Sequence, residues 1–153
     1  MTYIRKAGTN DATILSKMNY EFNHLRIEPK DIHKKLKRES EIVLVAEVDD
    51  QLSGFACAQI VNSFCYAKPY AEMIELFVRA TSRRMGVGKA LVGAIEKELL
   101  SCGVSHIHIL TGMKNKPARA LYEKLRYSDH KGRREVLYDK NMKSKVPPAV
   151  GGE

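Results

Sequence analysis

The stretch from Arg83 to Lys89 has the residue types of an anion-binding loop. Gly86 and Gly88 lie one residue apart, and Arg83, Arg84 and Lys89 supply positive charge. Glycine has no Cβ, so a backbone that carries two of them can turn sharply and approach a ligand closely. A helix predicted to begin at Gly86 presents unpaired N–H groups and the positive end of its dipole. These features together favour a site for phosphate or a similar anion.

Two well-known phosphate loops do not fit this stretch. A P-loop requires Ser or Thr after its Gly-Lys pair to bind magnesium, whereas Lys89 is followed by Ala90. A dinucleotide-binding loop requires a third glycine, and Leu91 occupies that position. The remaining alternatives are another kind of anion loop and a plain turn between a strand and a helix.

The pattern Arg-x-x-Gly-x-Gly at Arg83, Gly86 and Gly88 follows an apolar strand at residues 74–78. In this setting it resembles the acetyl-CoA motif of the GNAT superfamily of N-acetyltransferases. The resemblance implies a GNAT-like fold of the α/β (α+β) class, with a mixed central sheet flanked by helices. It also implies transfer of an acetyl group from acetyl-CoA to an amine.

A second pattern downstream strengthens the resemblance. Asn115, Ala118 and Tyr122 match the family's Asn-x-x-Ala-x-x-x-Tyr element, in the expected order along the chain. The family usually has a glycine after the tyrosine helix, where this chain has Arg126. A glycine there permits a left-handed helix end, so we expect this helix to end differently.

The resemblance also implies which residues contact acetyl-CoA. Backbone groups of Leu76, Phe77 and Val78 would bind the pantetheine arm as an added strand, and Asn115 would bond its end. Tyr122 would lie near the sulfur. The remaining contacts, to the pyrophosphate, would come from the motif loop, namely Arg83, Arg84, Met85, Gly86, Val87, Gly88 and Lys89.

Acetyl transfer to an amine requires a base, because a free amine is protonated at neutral pH. Glu72 and Glu75 are the candidates, and both lie on the strand that enters the motif. By resemblance, Glu72 matches the base of histone-type members and Glu75 matches a glutamate of small-molecule members. Being three residues apart, they would point to opposite faces of an undistorted strand. We favour Glu75 over Glu72; a solvated or ion-paired carboxylate is the alternative for each.

Tyr122 is the candidate acid, since a tyrosine keeps its proton at neutral pH and can donate it to the leaving thiolate. The alternative is a core aromatic. A covalent route through Cys57, Cys65 or Cys102 lacks a neighbouring His or Asp in sequence. His106 and His108 share a strand face, but no third ligand accompanies them, so no metal site is predicted.

Hydrophobic periodicity predicts the elements that position these groups. Strands are expected at residues 3–6, 42–48, 52–61, 71–78, 105–111 and 135–142, and the continuous apolar run of the fourth indicates burial in the sheet centre. Helices are expected from Asp11 as N-cap, over residues 31–38, over 86–102 and from Asn115 to Leu125. The order predicts one domain, the N-acetyltransferase domain at residues 1–143. A disordered tail is predicted at 144–153.

Charge and composition narrow the class of protein. The chain has 153 residues and a net charge of +8, and residues 101–153 carry 11 Lys and Arg against 5 Asp and Glu. A basic surface suits an anionic partner such as CoA. A nucleic-acid-binding or regulatory module and a CoA-binding protein without catalysis are the alternatives, although the aromatic residues are not interleaved with the cations as nucleic-acid stacking requires.

The sequence also bears on location and partners. Three widely spaced cysteines and no long apolar run indicate a cytoplasmic protein without a membrane span. The expected partners are acetyl-CoA and an amine acceptor on a small molecule or protein. A homodimer is an alternative to a monomer.

Overall fold

A five-stranded mixed sheet forms the centre of the computed structural model, which describes residues 1–129. The strands are β1 (Thr2–Lys6), β2 (Ile42–Val48), β3 (Gln51–Val61), β4 (Tyr70–Val78) and β5 (Ile107–Ile109). They lie side by side in chain order. All neighbours are antiparallel except β4 and β5, which are parallel. The predicted strand at 135–142 and the predicted tail at 144–153 lie outside the described residues.

Four helices cover the sheet within the described residues. They are α1 (Ala12–Asn23), α2 (Pro29–Lys37), α3 (Val87–Ser101) and α4 (Lys116–Lys124). The predicted fold class and helices are therefore confirmed, with ends that differ by one or two residues. Asp11 is the N-cap residue of α1, but its carboxylate accepts hydrogen bonds from Arg5 and the Gly8 amide instead of capping α1.

Two apolar clusters hold the layers together. On one face, α3 buries Leu91, Ile95 and Leu99 against the small side chains of the central strands. On the other face, Leu15 and Met18 of α1 pack on Val45, Phe55 and Phe77. Phe22 completes an aromatic trio there, with ring centroids 5.6 to 6.2 Å apart. The second cluster fixes the far end of β4.

The first half of β4 is more exposed than predicted. Glu72, Ile74 and Glu75 are exposed, and β3 rather than β4 is the middle strand. The helices α1 and α2 cover the face of the sheet only around Phe55 and Phe77, so the first residues of β4 remain open on that side. The predicted burial therefore holds for Ala71, Met73 and Phe77 but is wrong for Glu72, Ile74 and Glu75.

The end of α4 also differs from prediction. Arg126 adopts a left-handed conformation with φ 68°, as a glycine would. The Arg126 amide donates to the Glu123 carbonyl at 3.0 Å, and the Tyr127 amide donates to the Tyr122 carbonyl at 2.9 Å. This is the Schellman arrangement of a glycine-terminated helix, with arginine in the glycine position. Tyr127 fixes this turn, because its hydroxyl donates to Glu96 of α3 at 2.8 Å.

Candidate active site

The strands β4 and β5 separate after a short paired segment. Parallel pairing joins Ala71 to Ile107, Glu72 to His108 and Met73 to Ile109. Beyond Met73, the edge of β4 has no strand partner among the described residues. Leu76, Phe77 and Val78 lie on this free edge, which leads directly to the glycine loop. An unpaired edge offers backbone N–H and C=O groups to an extended ligand.

The start of α3 leaves several backbone amides without partners in the helix. Gly86 is the N-cap, with φ 82°, and no side chain caps the helix. The first bond of the turn runs from the Ala90 amide to the Gly86 carbonyl at 3.0 Å, so the amides of Val87, Gly88 and Lys89 have no acceptor inside α3. A Cβ built on Gly86 would meet no atom within 4 Å. The backbone at Gly86 is therefore open, and the unpaired amides that follow it are a candidate site for an anion.

Several predicted contacts of the loop have additional structural roles. The Val87 side chain is 1% exposed, so only its backbone can reach a ligand. Gly88 allows α4 to approach α3, because a Cβ there would lie 3.3 Å from Leu121. The Arg83 Nε atom donates to the Val78 carbonyl at 3.0 Å, which ties the loop to the end of β4. Arg83 thus helps to fix the conformation of the loop and also adds a positive charge.

The other side chains of the loop are exposed. Arg84 has a left-handed backbone with φ 63°, and Met85 and Lys89 project into solvent on either side of Gly86. Two full charges therefore remain near the open amides of α3. Such an arrangement is suited to a polyanion, which needs both amide donors and mobile cations.

A β-bulge brings the two candidate bases to the same face. Cys57 of β3 pairs with Glu75, whereas the next residue, Ala58, pairs with Met73, so Ile74 is an extra residue in β4. A bulge of one residue shifts the alternation of side chains. Glu72, opposite Gln59, and Glu75, opposite Cys57, consequently share the face that bears α1. The expectation of opposite faces was wrong, because it assumed an undistorted strand.

Glu75 has surroundings that suit a base. Glu75 is exposed as a whole residue, but partial desolvation of its carboxylate, followed by the nearby negative charge of Glu41, raises the pKa of Glu75 above its usual range. Glu41 lies just before β2, two residues from Val43, which pairs with Cys57 in the same row. Sequence reasoning did not single out Glu41. The alternation Val45, Val43, Glu41 would have placed it on this face, but not beside Glu75, because the pairing of three strands decides that distance.

Tyr122 approaches the same opening from the other face. Its ring packs against the cluster under α3 and lies 5.9 Å from the ring of Tyr127. Burial and the negative charge of Glu75 raise the pKa of Tyr122. The Tyr122 hydroxyl therefore stays protonated at neutral pH and lies within electrostatic range of Glu75. The two predicted catalytic groups are thus close enough to interact electrostatically.

Asn115 combines a structural task with its predicted one. Its side-chain oxygen accepts a hydrogen bond from the Ala118 amide at 3.3 Å and so caps α4. Its side-chain NH₂ remains as a donor. The predicted contact with pantetheine is compatible with this arrangement and stays a prediction.

Other reactive side chains lie away from this arrangement or are blocked. Burial, followed by the charge of Glu41, raises the pKa of the Cys57 thiol, so its thiolate is disfavoured. Cys65 and Cys102 are exposed and free. Over residues 1–129, no group of three or more His, Cys, Asp or Glu side chains is placed to hold a metal ion. Within the same residues, no helix has the length and apolarity needed to cross a membrane.

Sequence comparisons agree with the motif. The family model described as "Acetyltransferase (GNAT) family" matches residues 10–127. An acetyltransferase of Pectobacterium atrosepticum is 30% identical over 97 residues, which span 63% of this chain and 64% of that relative. An uncharacterized N-acetyltransferase of Bacillus subtilis is 24% identical over 136 residues, 84% of this chain and 91% of the relative.

Solved structures share the fold at low sequence identity. An aminoglycoside acetyltransferase from a soil metagenome superposes with a TM-score of 0.77 at 16% identity, covering 92% of this chain and 97% of the other. A ribosomal-protein-alanine N-acetyltransferase from Brucella melitensis gives 0.74 at 17% identity, covering 90% and 100%. The family match spans the separated strands, the open start of α3 and Tyr122 alike, and the chain therefore belongs to the acetyltransferase (GNAT) family.

Proposed function

We propose that this protein is an acetyl-CoA-dependent N-acetyltransferase that acts on a primary amine by direct transfer. The observation that carries the proposal is the opening between β4 and β5. The features that support it are the unpaired strand edge, the unpaired amides at the start of α3 and the electrostatic interaction between Glu75 and Tyr122. Each feature alone also occurs in proteins of other classes, but the combination suits a thioester-dependent transferase.

Acetyl-CoA fits the chemistry of the opening. Its amide-rich pantetheine arm would pair with the free edge of β4 at Leu76 and Phe77, as an added strand. Its pyrophosphate would bind the amides that follow Gly86, with Arg84 and Lys89 nearby. Since the Val78 carbonyl already accepts from Arg83, we assign the arm to the residues before Val78.

Glu75 would act as the base. A raised pKa makes its carboxylate a better proton acceptor. It takes a proton from the acceptor ammonium, directly or through a water. The freed nitrogen then attacks the thioester carbon and loses its second proton to solvent as the amide forms, while Glu75 releases the first proton to solvent. Glu72, on the same face, is the second candidate.

Tyr122 would act as the acid. When the C–S bond breaks, the Tyr122 hydroxyl gives its proton to the departing thiolate and later recovers one from solvent. Its raised pKa keeps that proton in place before the reaction. Cys57 is unsuited to an acetyl-enzyme intermediate, because burial disfavours the thiolate. This favours direct transfer, in which the C–N bond forms as the C–S bond breaks.

The acceptor is proposed only as a primary amine. The solved relatives are named for different acceptors, an aminoglycoside and a ribosomal-protein alanine, so they do not select one. They share a nitrogen that must lose a proton before it attacks. The face that holds Glu72 and Glu75 meets this requirement for either kind of acceptor.

The test is release of CoA thiol from acetyl-CoA with a panel of amines. We expect amine-dependent release by the full chain and loss of release in Tyr122→Phe, with acetyl-CoA binding retained in calorimetry. Binding without release for every amine would favour the non-catalytic alternative. Salt-sensitive binding of nucleic acid, without acetyl-CoA binding, would favour the nucleic-acid module.

A further inference from the structure

Four rings form a continuous row on the open face of the sheet. They begin with Tyr66 in the loop before β4, pass through Tyr70, and end with His108 and His106 beside β5. The centroid distances along the row are 6.2, 5.0 and 5.3 Å. Within the described residues none of these rings belongs to the apolar clusters that the helices bury, and Tyr66 is 63% exposed. We call these four residues the ring row.

The ring row lies on the same face as the candidate bases. Tyr70 and Glu72 are two residues apart on β4, so their side chains point the same way. Glu72 pairs in register with His108, which brings its carboxylate next to the middle of the row. Because of the bulge at Ile74, Glu75 faces this side as well. The row and Glu75 are therefore two parts of one surface.

The surface is acidic on a basic protein. The chain has a net charge of +8, yet Lys68 is the only Lys or Arg between Glu41 and Val78. Among the described residues, no cation lies within ion-pair distance of Glu41, Glu72 or Glu75. Unpaired carboxylates beside exposed rings attract a cation, since the ring faces and the carboxylates both carry negative potential.

We propose that the ring row and Glu72 bind a second cationic group of the acceptor, so that the acceptor is a small molecule with at least two ammonium groups. This inference rests on the proposed function for the place of the reacting nitrogen, at Glu75. Glu72 and Glu75 are three positions apart along the strand, which is about 10 Å at the usual rise and less across a bulge. A linear diamine and an amino sugar both offer two ammonium groups at such a separation.

A nucleobase is the main competitor for exposed rings. Nucleobases stack on aromatic side chains, but the phosphates of a nucleic acid bind a protein only where cations line the path of the backbone. Here the carboxylates of Glu72 and Glu75 would repel a phosphate backbone. The charge of the surface therefore favours a cation over a nucleic acid.

Binding can be measured without turnover by using quaternary ammonium ions, which cannot be acetylated. A bis-quaternary alkyl diammonium ion should bind the full chain at least tenfold more tightly than its mono-quaternary counterpart in calorimetry. Tyr66→Leu should weaken binding of the bis-quaternary ion about three- to tenfold, as expected for one cation–π contact. Tyr66→Phe keeps the ring and should bind nearly as well as the wild type.

Tyr3→Leu is the matched control, because Tyr3 is 61% exposed and lies on the far strand β1. Equal binding of the two ions, or an equal loss in Tyr66→Leu and Tyr3→Leu, overturns the proposal. Binding of single-stranded nucleic acid that Tyr66→Leu abolishes overturns it too, in favour of base stacking.

Turnover separates this proposal from the proposed function. In thiol release, diamines and amino sugars are compared with monoamines of the same size, and the preference for the dication should fall in Tyr66→Leu. Release with all amines and no such preference refutes the ring row while leaving the transferase intact. No release with any amine, together with selective binding of the bis-quaternary ion, refutes the transferase and keeps the cation site. Comparing thiol release with amino sugars and with linear diamines shows which kind of dication is preferred.

Discussion

The region of the sheet beside β1 and the region beside β4 differ in whether their polar groups already have hydrogen-bond partners. Beside β1, the Arg5 guanidinium donates to both oxygens of Asp11, at 2.7 and 2.9 Å, and to Glu47 at 2.7 Å. The Gly8 amide adds a further hydrogen bond to Asp11 at 2.7 Å. Beside β4, by contrast, a strand edge, the amides after Gly86 and the carboxylate of Glu75 have no such partners among the described residues.

The difference separates groups that stabilise the fold from groups available to a ligand. A polar group that is already paired contributes to folding, and little is left for binding. A polar group that is left open contributes little to folding and can bind or react. Substitutions beside β4 should therefore change activity more than stability, and those beside β1 should do the reverse.

The largest effect is expected at Tyr122. Tyr122→Phe keeps the packed ring and removes only the hydroxyl, so kcat should fall by roughly 10²–10⁴. Acetyl-CoA affinity and the melting temperature should change little. Steady-state kinetics, calorimetry and thermal unfolding measure the three quantities. A normal kcat would make Tyr122 a core aromatic and weaken the contrast between the two sides.

The next effect concerns the base and its pH dependence. Because Glu75 acts as a base only when ionised, kcat/KM should decline as the pH falls through its raised pKa. Glu75→Gln should remove this acidic limb and lower the plateau by about 10²-fold. Glu41→Gln should move the limb to lower pH, since it removes one of the two causes of the shift.

Glu72→Gln is compared with Glu75→Gln on the same acceptor. We expect kcat/KM to fall less in Glu72→Gln. The acceptor's own ionisation appears in the same profile, so it must be titrated separately. If neither substitution alters kcat/KM at any pH, the base does not lie on β4, and the enzyme binds amine that is already neutral.

Beside β1, the expected loss is in stability. Asp11→Asn removes the charge that Arg5 pairs with, which should lower the free energy of unfolding by about 2 kcal/mol. Kinetic constants should stay near the wild-type values. Arg5 and the Gly8 amide lower the pKa of Asp11, so its contribution is present above the unfolded pKa and is lost as pH falls through the folded one. Denaturation of both proteins across acid pH checks the sign, and a constant difference contradicts it.

Alanine substitutions of the glycines at the two ends of α3 test whether the unpaired amides at its start bind CoA. Gly86 and Gly103 both have left-handed backbones, φ 82° and 78°, and a Cβ on either would meet no atom within 4 Å. Alanine should therefore cost similar stability at both positions, about 1 kcal/mol. Only Gly86→Ala should also weaken CoA, by about tenfold, or 1.4 kcal/mol. Equal CoA affinity of the two variants in calorimetry would remove the phosphate site from α3.

The smallest effect is a gain. Arg126 holds a left-handed backbone that costs a residue with a Cβ about 1 kcal/mol. Arg126→Gly removes this strain and should raise the free energy of unfolding by about 0.5 kcal/mol, after the larger entropy of an unfolded glycine is subtracted. Chemical denaturation measures it, and a loss of stability would indicate that the Arg126 side chain makes a contact that outweighs the strain.

Local patterns were sufficient to predict much of this molecule. The glycines, the helix periodicity of α3 and the Asn115–Tyr122 spacing are short-range features, so the sequence located the loop, the helices and the candidate acid. The shared face of Glu72 and Glu75 was not predictable, because the bulge at Ile74 depends on pairing with β3. The left-handed Arg126 depends on the anchoring of Tyr127 to Glu96 across the core. Long-range contacts of this kind leave no local signal.

The extra residue at Ile74 has a consequence for comparing relatives. The alternation of side chains between the two faces shifts by one position at Ile74. Counting back from Arg83 by simple alternation therefore assigns the residues before Ile74 to the wrong face. A relative that lacks this residue would have a regular strand, in which its equivalents of Glu72 and Glu75 are two residues apart and still share one face. A relative of equal length without the bulge would instead carry its equivalent of Glu72 on the opposite side of the sheet, so equal spacing between the two carboxylates does not by itself mean an equal substrate-facing surface.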